Sequence, residues 1–235
     1  MSRIGTVARP LPGFPKDFPV RKDGRRPWRY RIVSLLSRMA LRLWFGRQLR
    51  FEGQEHLPLT GPLLVVSNHL SNIDPFIFGG FGPGTMFCMS KRELFTNRVV
   101  AWILGGCNCY PVDRGAADRW ALRTSLNLLA DRGRLLVFVE GTRATKPGMK
   151  RVEAGIGFLA RRSKARLVPV AVWGTDKALA RGRRLPRRVP VTVRYGRPFE
   201  ATAPAAGRPD DQEMADQIAR RIAELLPEEY RGAYG

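Results

Sequence analysis

Leu63-Leu64-Val65-Val66-Ser67-Asn68-His69-Leu70-Ser71-Asn72-Ile73-Asp74-Pro75 is the stretch on which the reading of this chain turns. Gly61-Pro62 marks a turn just before it, and a short apolar run after a turn reads as a strand buried on both faces. The strand Leu63–Ser67 opens into a polar loop that carries His69 and, five positions later, Asp74. An imidazole near a carboxylate, at the end of a buried strand, supplies a possible base and the acid that would orient it. Spacing alone is weak support, since such a pair falls at a fixed offset by chance in about one comparable chain in ten. The flanking sequence has to decide.

Downstream, strand-like and helix-like segments alternate. Thr85–Met89 reads as a strand, Arg92–Leu104 as helix-like, Cys109–Val112 as a strand, and Asp118–Asp131 as an amphipathic helix through Leu122, Leu126 and Leu129. Leu135–Val139 follows as a strand, Glu140–Lys150 as a loop and Ala154–Arg162 as a helix. Strands at Leu167–Trp173 and Val189–Tyr195 and a helix over Asp210–Leu226 complete the series. This rhythm predicts an α/β fold, with one mainly parallel mixed sheet covered by helices and functional loops at the strand ends. A chain of 235 residues can bury one sizeable core, and no internal repeat divides it, so a single domain is expected.

Upstream, Ile32, Leu35, Leu36, Met39, Ala40 and Leu43 recur at helical spacing, with Arg31, Arg38 and Arg42 on a neighbouring row and Trp44 and Phe45 at the end. Such a stripe suits packing on the core with the arginines in water, or lying in a membrane interface with the arginines at the headgroups. The helix alone leaves both open. The organisation read from the sequence is a flexible, basic, Pro-rich arm over residues 1–30, an amphipathic helix over 31–50 and the main domain over 51–235.

Lys and Arg number 41 against 20 Asp and Glu, a formal net charge of +21. A charge this large calls for a polyanionic surface or an anionic ligand. Nucleic acid is disfavoured, because the basic residues are dispersed, aromatics are not interleaved with them, and no zinc-finger or RNP signature is present. No apolar run reaches the roughly 18 residues that would cross a bilayer. The first thirty residues lack the apolar stretch of a signal peptide, which argues against secretion. Cys88, Cys107 and Cys109 are an odd set with no CxxC pair and no flanking histidines. They support neither a disulfide framework nor a zinc site; no metal is expected, and a reducing cytoplasm fits best.

Four segments beside the strand ends carry the polar chemistry: Asn68–Pro75, Ser90–Phe95 with Asn108–Arg114, Phe138–Arg143, and Val168–Gly174. The first holds His69 and Asp74, the next two supply Lys91, Arg92, Arg114 and Arg143, and Gly141 gives a point of close backbone approach. Cations and open amides near a base describe a phosphate-bearing substrate being deprotonated. In order and wording these segments resemble the glycerolipid acyltransferases, closest to the 1-acylglycerol-3-phosphate type, from about Phe51 to Pro198. The first motif of that family, His, four residues, Asp, stands here as His69 to Asp74, between Asn68 and Pro75. The second is similar to Lys91-Arg92-Glu93-Leu94-Phe95 with Tyr110-Pro111-Val112-Asp113-Arg114, the third to Phe138-Val139-Glu140-Gly141-Thr142-Arg143, and the fourth to Val168-Pro169-Val170. The chain departs from the family pattern at Val139, where Pro is usual, and at Asn108, where Gly is usual; Asn tolerates a positive φ better than most residues.

The resemblance implies a mechanism. His69 would take the proton of a lipid hydroxyl as it attacks an acyl thioester, and Asp74 would hold the imidazole in the right tautomer. A covalent route through Ser67 or Ser71 is the less favoured alternative. By the same resemblance Arg114 and Arg143 would fork onto the acceptor's phosphate, with Lys91 as a further charge, Gly141 offering its amide and Thr142 in the same loop. Glu140, beside that anion site, would orient an Arg or the loop backbone. Pro169 would shape the acyl-donor side, and His56 is read as structural. The expected acceptor is a lysophospholipid, 1-acylglycerol 3-phosphate, giving phosphatidic acid. Glycerol 3-phosphate or another lysolipid or glycolipid is the alternative. The expected donor is acyl-CoA or an acyl carrier protein thioester, a co-substrate, with no bound cofactor. The charge then reads as attraction to an anionic phospholipid surface, each Lys or Arg contributing about 1 kcal/mol. The helix at 32–45, with Arg181-Gly182-Arg183-Arg184 and Arg187-Arg188, would seat the protein peripherally on the cytoplasmic side of the cell membrane. A non-catalytic basic protein that binds anionic lipid or nucleic acid is the rival from another class.

Overall fold

The computed structural model describes residues 28–58, 60–82, 84–113, 118–143, 148–180, 182–183, 185–200 and 210–235. Seven strands, β1 (Leu49–Glu52), β2 (Leu63–Ser67), β3 (Met86–Lys91), β4 (Cys109–Val112), β5 (Arg134–Phe138), β6 (Arg166–Trp173) and β7 (Val191–Tyr195), form one sheet in the order β1-β7-β6-β2-β5-β3-β4. All neighbours run parallel except β6 with β7. The helices are α1 (Trp28–Phe45), α2 (Asp74–Phe81), α3 (Arg98–Gly106), α4 (Arg119–Ala130), α5 (Gly155–Ser163), the short α6 (Thr175–Ala178) and α7 (Asp211–Ala223). This is the α/β, mainly parallel mixed sheet that the alternation of segments predicts.

β2 is central, paired with β5 on one side and β6 on the other, which is why its sequence is apolar at successive positions rather than alternating. Leu64 and Val66 point into a core with Leu135, Val137, Ile156, Leu159, Met214 and Ile218. Leu63 and Val65 point the other way, to Phe45, Ile77, Phe78, Val168 and Val170. These four side chains are almost completely buried, and each burial contributes about 1.5–3 kcal/mol. Because β2, β3 and β5 are parallel, the loops that leave them emerge at one end of the sheet, where sites in such folds form.

The structure adds to and corrects the sequence reading in several places. β1 and α2 were not expected. The segment from Arg92 is not one helix: a single 3-10 turn covers Arg92–Thr96, and α3 starts afresh after Asn97. The Asn97 carboxamide oxygen accepts the amides of Val99 and Val100 at 3.0 and 3.1 Å and caps the new helix. Within the described residues the upstream helix covers Trp28–Phe45, and Leu49 and Arg50 belong to β1, which pairs with β7. Residues 1–27, with most of the expected arm, lie outside the described residues, as do Arg181 and Arg184.

α1 carries two apolar stripes. Tyr30, Val33, Leu41 and Phe45 are buried against the domain, whereas Ile32, Leu35, Leu36, Met39 and Leu43 face outward, Leu43 at 76% exposure. The close seat on α2 depends on Gly80, where a Cβ would lie 3.2 Å from the backbone nitrogen of Arg38. Arg38 Nε donates to the Gly80 carbonyl at 2.9 Å, and the guanidinium groups of Arg38 and Arg42 lie over the Phe81 ring. The outward stripe continues onto α3, where Val99 and Trp102 are exposed and Arg29 sits between Trp28 and Trp102. At the other end, Arg188 donates to the carbonyls of Trp44 and Leu43, at 2.6 and 3.1 Å, and brings the segment with exposed Leu185 alongside. Among the described residues no helix is long and apolar enough to cross a membrane.

Candidate active site

The loop after β2 is pinned at almost every residue. Asn68 extends the sheet with its side chain: Nδ2 donates to the Val172 carbonyl and Oδ1 accepts the Val172 amide, both at 2.8 Å. Ser71 Oγ donates to the Leu179 carbonyl at 3.0 Å. Asp74 begins α2 with Pro75 in the first turn, a position where a helix favours both negative charge and proline. Its Oδ2 lies 2.8 Å from His69 Nδ1 and accepts the amides of Leu70 and Ser71, each at 2.8 Å. A carboxylate oxygen only accepts, so Nδ1 carries a proton, and in the neutral ring Nε2 then keeps its lone pair for a substrate. The His69 ring stacks on Phe138, with centroids 4.1 Å apart and planes at 19°. Both members of the pair are buried, Asp74 completely. A neutral imidazole with its tautomer set by a buried counter-charge, and with no hydrogen-bond partner on Nε2 among the described residues, can take a proton from a hydroxyl.

Ser67 and Ser71 are not placed to serve as covalent nucleophiles. Both are fully buried, and their hydroxyls donate to the carbonyls of Asn68 and Leu179 rather than to His69. His56 is structural, as expected: its Nδ1 is 3.0 Å from the Tyr195 carbonyl.

Glu140 is the second fixed point, and of the two parts expected for it, orienting an Arg or orienting loop backbone, the structure shows the second. Oε1 accepts the His69 amide and Oε2 the Lys150 amide, each at 3.1 Å. A carboxylate with both oxygens on backbone amides orients the loops and repels an anion. Burial raises its pKa above the ordinary carboxylate range, against the opposing pull of the two amides. The expectation that Gly141 offers its amide to a phosphate is not met in this structure. That N–H donates to the Phe138 carbonyl at 3.0 Å, and the Thr142 N–H donates to the Glu140 carbonyl at 2.7 Å, so both close the turn itself. Gly141 is needed there for its φ of +63°.

Of the expected cations, Arg143 is half-buried in this loop, and no acidic group among the described residues pairs with it. Lys91 sits at the end of β3, two strands from β2, with Nζ 3.1 Å from Glu93 Oε1. Arg114 lies outside the described residues, but the ends of its loop are tied together. Arg92 pairs with Asp113, and Asp118 Oδ2 accepts the Asp113 amide at 3.0 Å while Oδ1 caps α4. Arg92 is therefore a structural residue. Pro169, expected on the acyl-donor side, makes its contacts within the sheet. It is buried within β6, opposite Val66 and three residues short of His69, with its ring toward Gly196 and its carbonyl accepting the Gly196 amide.

The two departures from the family pattern have visible consequences. Asn108 adopts φ +54°, the left-handed conformation that the usual Gly would reach without strain. Val139 uses the N–H that Pro lacks, donating to the Ser67 carbonyl at 3.0 Å and tying the end of β5 to the end of β2. Asn68 and Phe138 stand in the motif segments, yet nothing in spacing shows that one clamps β6 and the other floors the imidazole.

Known proteins similar to this chain carry one kind of name. The 1-acyl-sn-glycerol-3-phosphate acyltransferase of Streptococcus pneumoniae is 27% identical over 173 residues, covering 72% of this chain and 59% of the relative. The enzyme of that name from Bacillus subtilis is 28% identical over 201 residues, covering 83% of this chain and 96% of the relative. This chain thus spans less than two thirds of the pneumococcal relative's length and nearly all of the Bacillus one. The crystal structure of the 1-acyl-sn-glycerophosphate (LPA) acyltransferase PlsC from Thermotoga maritima superposes with a TM-score of 0.68 over 83% of this chain and 79% of that one, at 23% identity; it shows a shared fold. The model of the Acyltransferase family matches residues 48–173, more than half of the chain and the span that carries β2, His69, Asp74 and Glu140, and on that match the protein belongs to the acyltransferase family.

Proposed function

We propose that this protein transfers a fatty acyl chain from an acyl thioester to the free hydroxyl of 1-acylglycerol 3-phosphate, giving phosphatidic acid. The observation that carries the reading is His69, its ring buried in the loop after β2 with Nδ1 held on Asp74 at 2.8 Å. As the acceptor oxygen attacks the thioester carbonyl, Nε2 takes the hydroxyl proton. When the tetrahedral intermediate collapses, the carbon–sulfur bond breaks and the imidazolium returns that proton to the departing thiolate. Asp74 offsets the charge on the ring between the two steps. No bond to the protein forms. Arg143, with Arg114 and with Lys91 from the end of β3, would hold the acceptor's phosphate. The donor is acyl-CoA or an acyl carrier protein thioester. The names of the relatives support the acceptor assignment.

The acceptor and product are membrane lipids, and the protein works from an anionic leaflet on the cytoplasmic side. Support comes from the outward stripe of α1, continued by Val99, Trp102 and Leu185 and surrounded by arginines. An exposed apolar face flanked by cations suits a lipid interface. Purified protein is tested with acyl-CoA and 1-acylglycerol 3-phosphate, beside glycerol 3-phosphate and other lysolipids as acceptors. Preference for 1-acylglycerol 3-phosphate is expected; no acyl transfer to any acceptor would leave the non-catalytic lipid-binding reading. Binding to vesicles should rise with anionic lipid and fall with salt. The double variant Leu36→Asp with Leu43→Asp should abolish it while leaving turnover of a detergent-solubilised acceptor, and unchanged vesicle binding would remove this face from the account.

A further inference from the structure

Residues 228–235 close against the chain just beyond the Glu140 loop. The Met149 amide donates to the Tyr230 carbonyl at 3.1 Å, and the Met149 carbonyl accepts the Ala233 amide at 2.9 Å. The Tyr234 hydroxyl accepts the Val152 amide at 3.0 Å and donates to Asp216 at 2.8 Å. Gln212 completes the seat from α7, its Nε2 donating to the Val152 carbonyl at 3.0 Å. Met149, Val152 and Tyr230 are buried together in the core beneath. The approach is close enough to exclude a side chain at Gly232, where φ is +57° and a Cβ would lie 2.3 Å from the Met149 carbonyl oxygen.

Between Met149 and Val152 stands Lys150, whose amide occupies one oxygen of Glu140 while the other holds the His69 amide. A chain of hydrogen bonds therefore runs from the 228–235 segment to the base. We propose that residues 228–235 are a positioning segment for the active site: by holding Met149 to Val152 they set Lys150 on Glu140, and through Glu140 they fix the backbone of His69. Tyr234 and Gly232 are its key residues, one for its hydroxyl and one for its lack of a side chain. Neither touches the reacting atoms.

The test uses the full chain and two variants, the mild Tyr234→Phe and the stronger Gly232→Val. Amide exchange is read first, because it needs no substrate. Exchange at His69 and Lys150 should quicken by about tenfold in Gly232→Val and less in Tyr234→Phe, while the amides of β5 and β6 stay protected. Unchanged exchange at the two amides, or a uniform rise that includes β5 and β6, would overturn the proposal. The kinetic arm rests on the acyl-transfer reading. The KM for 1-acylglycerol 3-phosphate should rise and kcat fall in Gly232→Val, whereas simple loss of folded enzyme would lower kcat alone. In a Glu140→Gln background the same substitution should add less than about twofold, since the link is already cut. Effects that multiply in full would contradict it. Should the unaltered protein show no acyl transfer, that reading fails and the exchange measurement still decides the positioning segment.

Discussion

The loop after β2 and the loops after β3 and β5 leave the same end of the sheet, yet they are built to different standards. Asn68, His69, Ser71 and Asp74 are buried and bonded to β6, to the end of α6, to Glu140 and to the first turn of α2. Thr142 is exposed, Arg143 is half-buried with no acidic partner among the described residues, and Lys91 leans on Glu93 at the rim. One region is fixed before any substrate arrives; the other, on the proposed function, would be ordered by the acceptor's phosphate. Interactions present throughout catalysis and those made only on binding are separable in kinetics, so this difference in construction predicts a difference between kcat and KM.

The largest effect belongs to the fixed region. Asp74→Asn keeps an oxygen where Oδ2 accepts from His69, Leu70 and Ser71, but it cannot balance an imidazolium. Its new NH₂ group falls where Oδ1 is buried without a hydrogen-bond partner. We expect kcat to fall by about 10²–10⁴ with KM little changed, measured by steady-state turnover. A variant that altered KM alone would erase the contrast between the loops. In the open region, Arg143→Ala should raise KM for the phosphate-bearing acceptor by about 10–100-fold, the range of a charge-assisted hydrogen bond of about 1.5–3 kcal/mol, with a smaller change in kcat. An acceptor without phosphate should be indifferent to it.

Glu140 sharpens the comparison because it joins both regions. Its pKa is raised by burial, so the protonated form is the one favoured by folding. That contribution is complete below the unfolded value and is lost as pH rises through the folded one. Glu140→Gln does not titrate. The stability of the natural protein relative to this variant should therefore be greatest below about pH 4.5 and shrink as pH rises above it, followed as the difference in Tm. A difference that grows with pH would contradict the assignment. The smallest effect is expected at Asn108→Gly. Relief of a φ of +54° and removal of a buried Nδ2 without a partner should leave stability within about 1 kcal/mol of the natural protein.

The same contrast explains what could be read in advance. β2 was plain from its apolar run, and the helices α4, α5 and α7 from their periodicity, because burial writes itself into residue type. β1 has only four residues and alternates Leu49 and Phe51 with charged ones, too short a pattern to stand out. α2 hides behind Asp74-Pro75 and the poor helix formers Gly79 and Gly80. The outward stripe of α1 was visible, but the second stripe beneath it was not, since either could have faced the core. At the site, His69 and Asp74 follow from spacing and resemblance. The use of the Gly141 amide inside its own turn, and the double duty of Glu140, depend on which backbone groups come within 3 Å, which residue types do not record.

In the proposed reaction one imidazole, held by a buried carboxylate, removes the acceptor's proton. The direct test is kcat for His69→Ala at saturating acyl-CoA and 1-acylglycerol 3-phosphate, with folding checked by circular dichroism. A fall of about 10²–10⁴ in a folded protein is predicted; turnover equal to that of the natural protein would contradict the account.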